Sequence, residues 1–582
     1  MLSLDDHSKN RYLTIVLVLL CMLFLVSLFK NIAYPLFWAD ESMTVMGGVR
    51  VLEYGYPKVH DGKNVFYDLL HPNVSLGLDE KTDAYIGGTS WGHYYFATIG
   101  IKLAEMSDDF FTKTAIIRLT FGLAGLAGLM ILAFLARQFF HTKLSKTGFL
   151  TLFVFLELIS VPLVLHLREA RYYPLVVFFT ALTIFVYAQY RILKKIRYST
   201  YAILLIVSLF LSFVMFSPLY FIFVASMLSF ESIALAGQLV SGYGQGRRSG
   251  PAESQSRKRL FKDYLRNLLP VIFSFIPVYP LLVYFKTFYI AGEMAKFNFE
   301  LFHTDKIGMF WANLEVIWRF FVSSDFMYLA IFLKISLLLC FFLKLAAKST
   351  YDFDRPKLFF SLFLTIFFIV YFFTVCKLPS FPYTRYYIPL QPVLTVIIIL
   401  DLSVIFDFMS HYRSFAKGYA RTILGMIVGG FIMVNIIGNS HYLKGHLYEI
   451  SNQYRGPLDY VIPFIKERYT NTGGLVIATN YEETSFMYYL NAKVIVGYVG
   501  NNLEEDARMQ PDIIVYRKLW GNFEPIFTNY LQQAAYERIT FPVFDYTVNN
   551  IPELHFRLPI QHQFQTLETA DEREKTDIYV RK

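Results

Sequence analysis

Charge is what this 582-residue sequence has least of: Asp, Glu, Lys and Arg make up 17% of it, against about 25% in an ordinary soluble chain. Beside 55% hydrophobic and 18% aromatic residues, that deficit excludes a string of water-soluble domains and points to a bilayer as solvent. Cysteine is scarce too. The three present, Cys21, Cys340 and Cys376, lie in or beside apolar runs, so neither a disulfide framework nor a CxxC metal site is implied. No internal repeat occurs, which removes the usual sequence mark of a secondary transporter.

What is there is a series of eleven apolar runs near spanning length, at 12–29, 115–136, 148–166, 173–190, 201–216, 219–238, 268–285, 326–343, 358–375, 388–406 and 422–438. The first follows Lys9 and Arg11, exceeds a usual signal-peptide core and is not followed by a small-residue cleavage site, so it reads as an uncleaved span. Charge divides unevenly along the chain. Residues 439–582 hold 14 basic and 18 acidic side chains, so the formal +9 of the whole splits into −4 there and +13 before it. This is a topology signal and not a nucleic-acid signature, because Lys and Arg accumulate in cytoplasmic loops.

Orientation turns on residues 91–106, WGHYYFATIGIKLAEM. Laid along the surface as an amphipathic helix, they leave every basic loop (137–146, 191–197, 247–266, 344–357 and 413–421) on the inside. Were they to span, those loops would all fall outside. The surface reading gives a polytopic all-α plasma (inner) membrane protein with a cytoplasmic N-terminus and a long structured first outer loop, 30–114. The turns 168–173 and 376–387, the loop 286–325 and residues 439–582 are then also extracytoplasmic. Residues 1–438 form the membrane domain, and 241–256, rich in Gly, Ser, Gln and Arg, a flexible cytoplasmic loop. In the tail, GLVIATN (474–480), KVIVGY (493–498) and PDIIVYRK (511–518) pattern as strands and 481–490 as a helix, which makes a soluble α/β domain. The turn 480–483 suits either a ligand contact or an ordinary helix start.

Three clusters carry chemistry. FWADESM (37–43) places Asp40 and Glu41 immediately outside the first span, where carboxylates are costly unless they face water, protein or a charged ligand; an N-cap role for Asp40 is the plainer alternative. HLREARYYPL (166–175) packs Arg168, Glu169 and Arg171 into a short outer turn, against the positive-inside rule. A phosphate ligand would account for them, since guanidinium forks bind phosphate oxygens in pairs, and so would pairing with Glu169 or Asp40. KLPSFPYTRYYIPLQP (377–392) adds Lys377, Arg385 and Tyr386 on the same side. His93 and Tyr94 suit either a surface aromatic cluster or a substrate contact, and the stripe WANLEVIWRFF in 286–325 either a membrane anchor or a lid.

These parts, in this order, resemble the GT-C superfamily of membrane glycosyltransferases, especially the protein O-mannosyltransferase and lipid A aminoarabinose transferase branch. The likeness is carried by Asp40–Glu41, the helix WGHYYFATIGIKLAE, the run IIRLTFGLAGLAGLMILAFLARQFF (116–140), REARYYPL, and RYYIPLQPVLTVIIIL (385–400). It implies transfer of a sugar from a polyprenyl-phosphate donor to a hydroxyl-bearing acceptor, with inversion, on the periplasmic face. Asp40, Glu41 and Glu169 match the family's acidic positions, and Arg385 its basic residue near the donor phosphate, joined here by Arg168, Arg171 and Lys377. His93, Tyr94 and Tyr386 would contact substrate. The family's basic-Pro-Pro step is missing: only His71–Pro72–Asn73 comes near it. No cofactor is called for with certainty; a divalent cation, Mg or Mn, would if used sit between Asp40 and Glu169. Membrane lipids are partners and nucleic acid is not. A lipid-linked-sugar flippase or transporter without bond chemistry is the alternative.

Overall fold

The computed structural model describes residues 5–582 apart from 67–76, 80, 88–90, 244–250, 302, 324, 349–350, 378–383, 412–418, 454, 497–506, 519–523 and 546–574. His71–Pro72–Asn73, the sequon-like Asn73–Val74–Ser75 and half of the turn 376–387 therefore lie outside the described residues.

The chain is a polytopic helical membrane protein. Its first helix, α1 (Asp6–Phe29), leads to α2 (Ala39–Tyr54), a ribbon of β1 (Leu78–Asp79) and β2 (Ala84–Tyr85), and α3 (Gly92–Ala104). Next come α4 (Phe110–Arg137), α5 (Lys143–Ile159), α6 (Val161–Leu167), α7 (Tyr173–Arg191), α8 (Tyr198–Met215) and α9 (Ser217–Tyr243). The bundle is completed by α10 (Pro251–Phe273), α11 (Phe275–Tyr284), α12 (Thr287–Leu301), α13 (Lys306–Ser323), α14 (Met327–Ala346), α15 (Arg355–Cys376), α16 (Leu390–His411) and α17 (Tyr419–Gly438).

Among the described residues nine helical segments are long and apolar enough to cross a bilayer, α10 and α11 counting as one. A tenth is α5 with α6, bent by 80° at Ser160. The last apolar run is the 17-residue stretch Thr422–Gly438 of α17. Each of the eleven runs in the sequence is thus helical. The segment that decides orientation is α3, whose 13 residues reach only about 20 Å at 1.5 Å per residue, short of the ~30 Å hydrocarbon core. Tyr94, Ala97, Ile101 and Ala104 are buried, while Tyr95, Ile99 and Leu103 are exposed, as an interfacial helix requires.

Close packing in the bundle rests on small residues. In α4 the run FGLAGLAG puts Gly122, Gly125 and Gly128 on one stripe facing α6 and α7; a Cβ on Gly125 would lie 2.5 Å from Leu167 Cδ2, and one on Gly128 2.7 Å from the Phe178 Cα. Helices in lipid gain little from apolar burial, so backbone approach of this kind is what holds them together. The segment 286–325 holds two helices, α12 and α13. The α13 face Asn313, Val316, Ile317, Phe320 and Phe321 is buried, and Trp311 and Trp318 point outward, which favours the anchoring role of that stripe.

After the bundle come α18 (Ser440–Ser451), α19 (Leu458–Arg468), β3 (Val476–Thr479), α20 (Glu483–Leu490), β4 (Lys493–Ile495) and β5 (Ile513–Val515). The chain closes with α21 (Glu524–Gln533), β6 (Tyr536–Phe544) and β7 (Lys575–Arg581). The sheet order is β4-β3-β5-β7-β6, parallel across the first three strands and antiparallel beyond. The sequence pattern finds β3, α20, β4 and β5 and misses β6 and β7.

Candidate functional site

Asp40 is the second residue of α2, not its N-cap: Trp38 holds the cap position and makes no side-chain cap bond. Two acids in the first turn complement the positive end of the helix dipole, and the helical turn aims them apart. Glu41 points into the bundle and is fully buried. Its carboxylate takes both prongs of Arg118, at 2.8 and 2.5 Å, and the Ala170 backbone N–H donates to it at 2.8 Å. Arg118 also donates to the Ile32 and Pro35 carbonyls, at 2.9 and 2.6 Å. One buried ion pair thereby ties α4, the entry to α2 and the turn before α7 together.

Asp40 instead turns toward the arginines of two other segments. Its carboxylate lies 3.1 Å from Arg385 Nη1 and 3.5 Å from Arg171 Nη2. Arg171 is steadied by the Asp40 carbonyl at 3.1 Å and the Thr44 hydroxyl at 3.0 Å, and Arg385 stacks against the rings of Trp38 and Tyr173, 5.6 and 5.9 Å from their centroids. Burial works against the Asp40 carboxylate, but Arg171 and Arg385 outweigh it and hold the group below its ordinary range.

Glu169 is the opposite case. It is buried, one oxygen 2.7 Å from His166 Nδ1 and the other without a hydrogen bond. Burial first, then the neighbouring Glu41 charge, pushes its carboxyl well above the usual range. Two neighbouring acids whose surroundings push them in opposite directions, Asp40 down and Glu169 up, are the pattern of an acid–base site.

The other sequence candidates are distributed around this centre. Arg168 donates to the Ser27 and Lys30 carbonyls, at 2.7 and 3.0 Å, so the structure places its guanidinium at the C-terminal end of α1 and not beside Asp40. Tyr94 is fully buried between Phe66 and Tyr85, and its ring fills the space beside Gly47. His93 is buried next to it, 5.8 Å from the ring of Tyr172. Tyr386 accepts from Tyr371 Oη through its carbonyl at 2.7 Å and stacks on Phe216. Lys377 ends α15 and is exposed. Glu41 and Arg118 together are a structural clamp, and Arg118, His166, Trp38 and Tyr173 were not among the candidates. A lone arginine inside the apolar run 115–136 was the available signal for the first of these.

Among the described residues no group of three or more His, Cys, Asp or Glu is placed to hold a metal ion. At Asp40 two guanidiniums already surround the carboxylate, a donor set that suits an anion better than a second cation.

The C-terminal sheet region meets the site from outside. Ser42, two residues after Asp40, shares a 2.6 Å hydrogen bond with Thr484 Oγ1 at the start of α20; Ser485 donates to the Phe37 carbonyl at 2.8 Å, and the Phe37 N–H to Tyr489 Oη at 3.2 Å.

No protein-family model and no curated protein matches the chain. Among solved structures it is similar to ArnT from Cupriavidus metallidurans, a crystal structure bound to undecaprenyl phosphate, with 12% identity and a TM-score of 0.45 over 98% of each chain. At that identity and score the similarity carries no argument about chemistry, and the site has to speak for itself.

Proposed function

We propose that the protein is an inverting glycosyltransferase that moves a sugar from a polyprenyl-phosphate donor to a hydroxyl acceptor at the extracytoplasmic face. The observation that carries this is the pairing of Asp40 with Arg171 and Arg385 at the membrane surface, one base between two phosphate-binding forks. Residues 1–438 supply the membrane site and 439–582 an extracytoplasmic domain beside it.

In the resting site the arginines hold Asp40 as a weak base. A donor phosphate that engages both guanidiniums draws their charge away, and Asp40 regains basicity when donor is present. It then takes the acceptor hydroxyl proton as the hydroxyl oxygen bonds to the anomeric carbon, while the bond from that carbon to the phosphate oxygen breaks on the opposite side. The departing phosphate carries its charge to Arg385 and Arg171. Glu169, bonded to His166, orients the acceptor or the phosphate. A single displacement inverts the anomeric centre.

The test is release of polyprenyl phosphate from a polyprenyl-phosphate sugar by purified protein. Asp40→Asn should lower the rate by about 10²- to 10⁴-fold while the variant inserts and folds normally. Unchanged turnover in that variant would sink the assignment, and movement of intact donor across vesicles without cleavage would favour a flippase.

A further inference from the structure

A second polar centre lies inside the bundle, where α5 breaks from α6. Glu157 is the third residue before Ser160, and both are buried. Across from them, Asp325, in the link from α13 to α14, lies 3.4 Å from Ser160 Oγ and 2.8 Å from Gln391 Nε2. Both carboxylate oxygens of Glu157 are buried without a hydrogen-bond partner, and α5 packs against α16, where Thr395 lies one turn along from Gln391. Asn435 of α17 donates to the Asp325 carbonyl at 2.9 Å and is itself bonded to Asn439. Four parts of the bundle thus converge on two carboxyls.

No lysine, arginine or histidine among the described residues pairs with either acid, although ion pairs neutralise the other buried acids nearby, Glu41 with Arg118 and Asp401 with Lys334. The lining is two carboxyls, two hydroxyls and the Gln391 amide, whose nitrogen is turned to Asp325 and whose oxygen is buried and has no donor. Burying uncompensated carboxylates is costly, and carboxylate, carbonyl and hydroxyl oxygens drawn from several segments are what a hard cation of calcium size accepts.

We propose that the α5–α6 break is a binding site for one calcium-class divalent cation, held by Glu157, Asp325 and Gln391 with Ser160 and Thr395 around it. Its charge would replace the missing basic partner and fasten the broken span to the α13–α14 link and to α16. The site is separate from Asp40 and needs no part of the transferase reading.

The experiment is equilibrium binding of Ca²⁺ to the purified full chain in nanodiscs, with thermal unfolding followed in parallel. One saturable site per chain is expected, with a Ca²⁺-dependent rise in Tm, weakened at least tenfold by Glu157→Gln and by Asp325→Asn and unchanged by Asp40→Asn. The wild-type Tm rise reads the site even if the first two variants fold poorly. Absence of saturable binding would overturn the proposal, as would binding lost in Asp40→Asn but kept in Glu157→Gln, or stabilisation by acid with no effect of Ca²⁺.

Discussion

Adjacent residues on one helix, Asp40 and Glu41, have separate duties because a helix turns about 100° per residue. Glu41 is locked to Arg118 in the interior, so Glu41→Gln leaves a buried guanidinium unpaired. That should cost roughly 3–5 kcal/mol of stability, read as a lower Tm and poor recovery from detergent, whereas Asp40→Asn should lose rate with little change in Tm. The arginines around Asp40 give a second prediction. Each lowers the carboxyl pKa, so removing one raises it. Arg171→Gln should therefore shift the acidic limb of the pH–rate profile upward, by about one to three pH units for an ion pair at this range; a downward or absent shift would separate Asp40 from the rate-limiting proton transfer. At this scale the sequence was informative about residue types: Arg171 of the turn 168–173 and Arg385 do meet Asp40. It could not tell Arg168 from Arg171, since the bend at Ser160 and the tight turn after α6 decide which guanidinium reaches α1 and which reaches Asp40.

At the scale of elements, period and length were enough to find the helices, because a spanning run must satisfy its own backbone in lipid and so is helical over its whole length. The 80° break between α5 and α6 was hidden inside one apolar run, 148–166, whose composition is uniform across Ser160. β6 and β7 were hidden for another reason: their partners are far away in sequence, and burial on that sheet is set by pairing across the chain. The glycine stripe of α4 belongs to this scale as well. Gly128→Leu should drive α4 from α7, with a loss of about 1–3 kcal/mol from overpacking, visible as a fall in Tm and a broadened elution profile. Substituting Gly429 of α17, which has nothing within 4 Å of an added Cβ, should leave both unchanged.

For the whole molecule, the placement of loops can be tested directly. Lys377 and Arg197 are both exposed and lie at opposite ends of the bundle, one after α15 and the other before α8. In intact cells a membrane-impermeant thiol reagent should label Lys377→Cys and spare Arg197→Cys, with endogenous cysteines replaced; the reverse pattern would turn the protein over in the bilayer and place the site on the cytoplasmic side. The two ends of the chain are also joined. Besides the Ser42–Thr484 contact, Asp459 accepts from the Leu36 N–H at 2.9 Å, and Asn64 exchanges hydrogen bonds with Ala492 and Val494, at 2.8 and 2.9 Å.

That seam fixes a schedule for biosynthesis. The helix bearing Asp40 leaves the ribosome early, but Arg171 must follow it by about 130 residues, Arg385 by some 340 and Thr484 by some 440 before its partners exist. Until then Asp40 lacks its arginine partners, and any stop before residue 484 leaves a membrane bundle whose α2 has no roof.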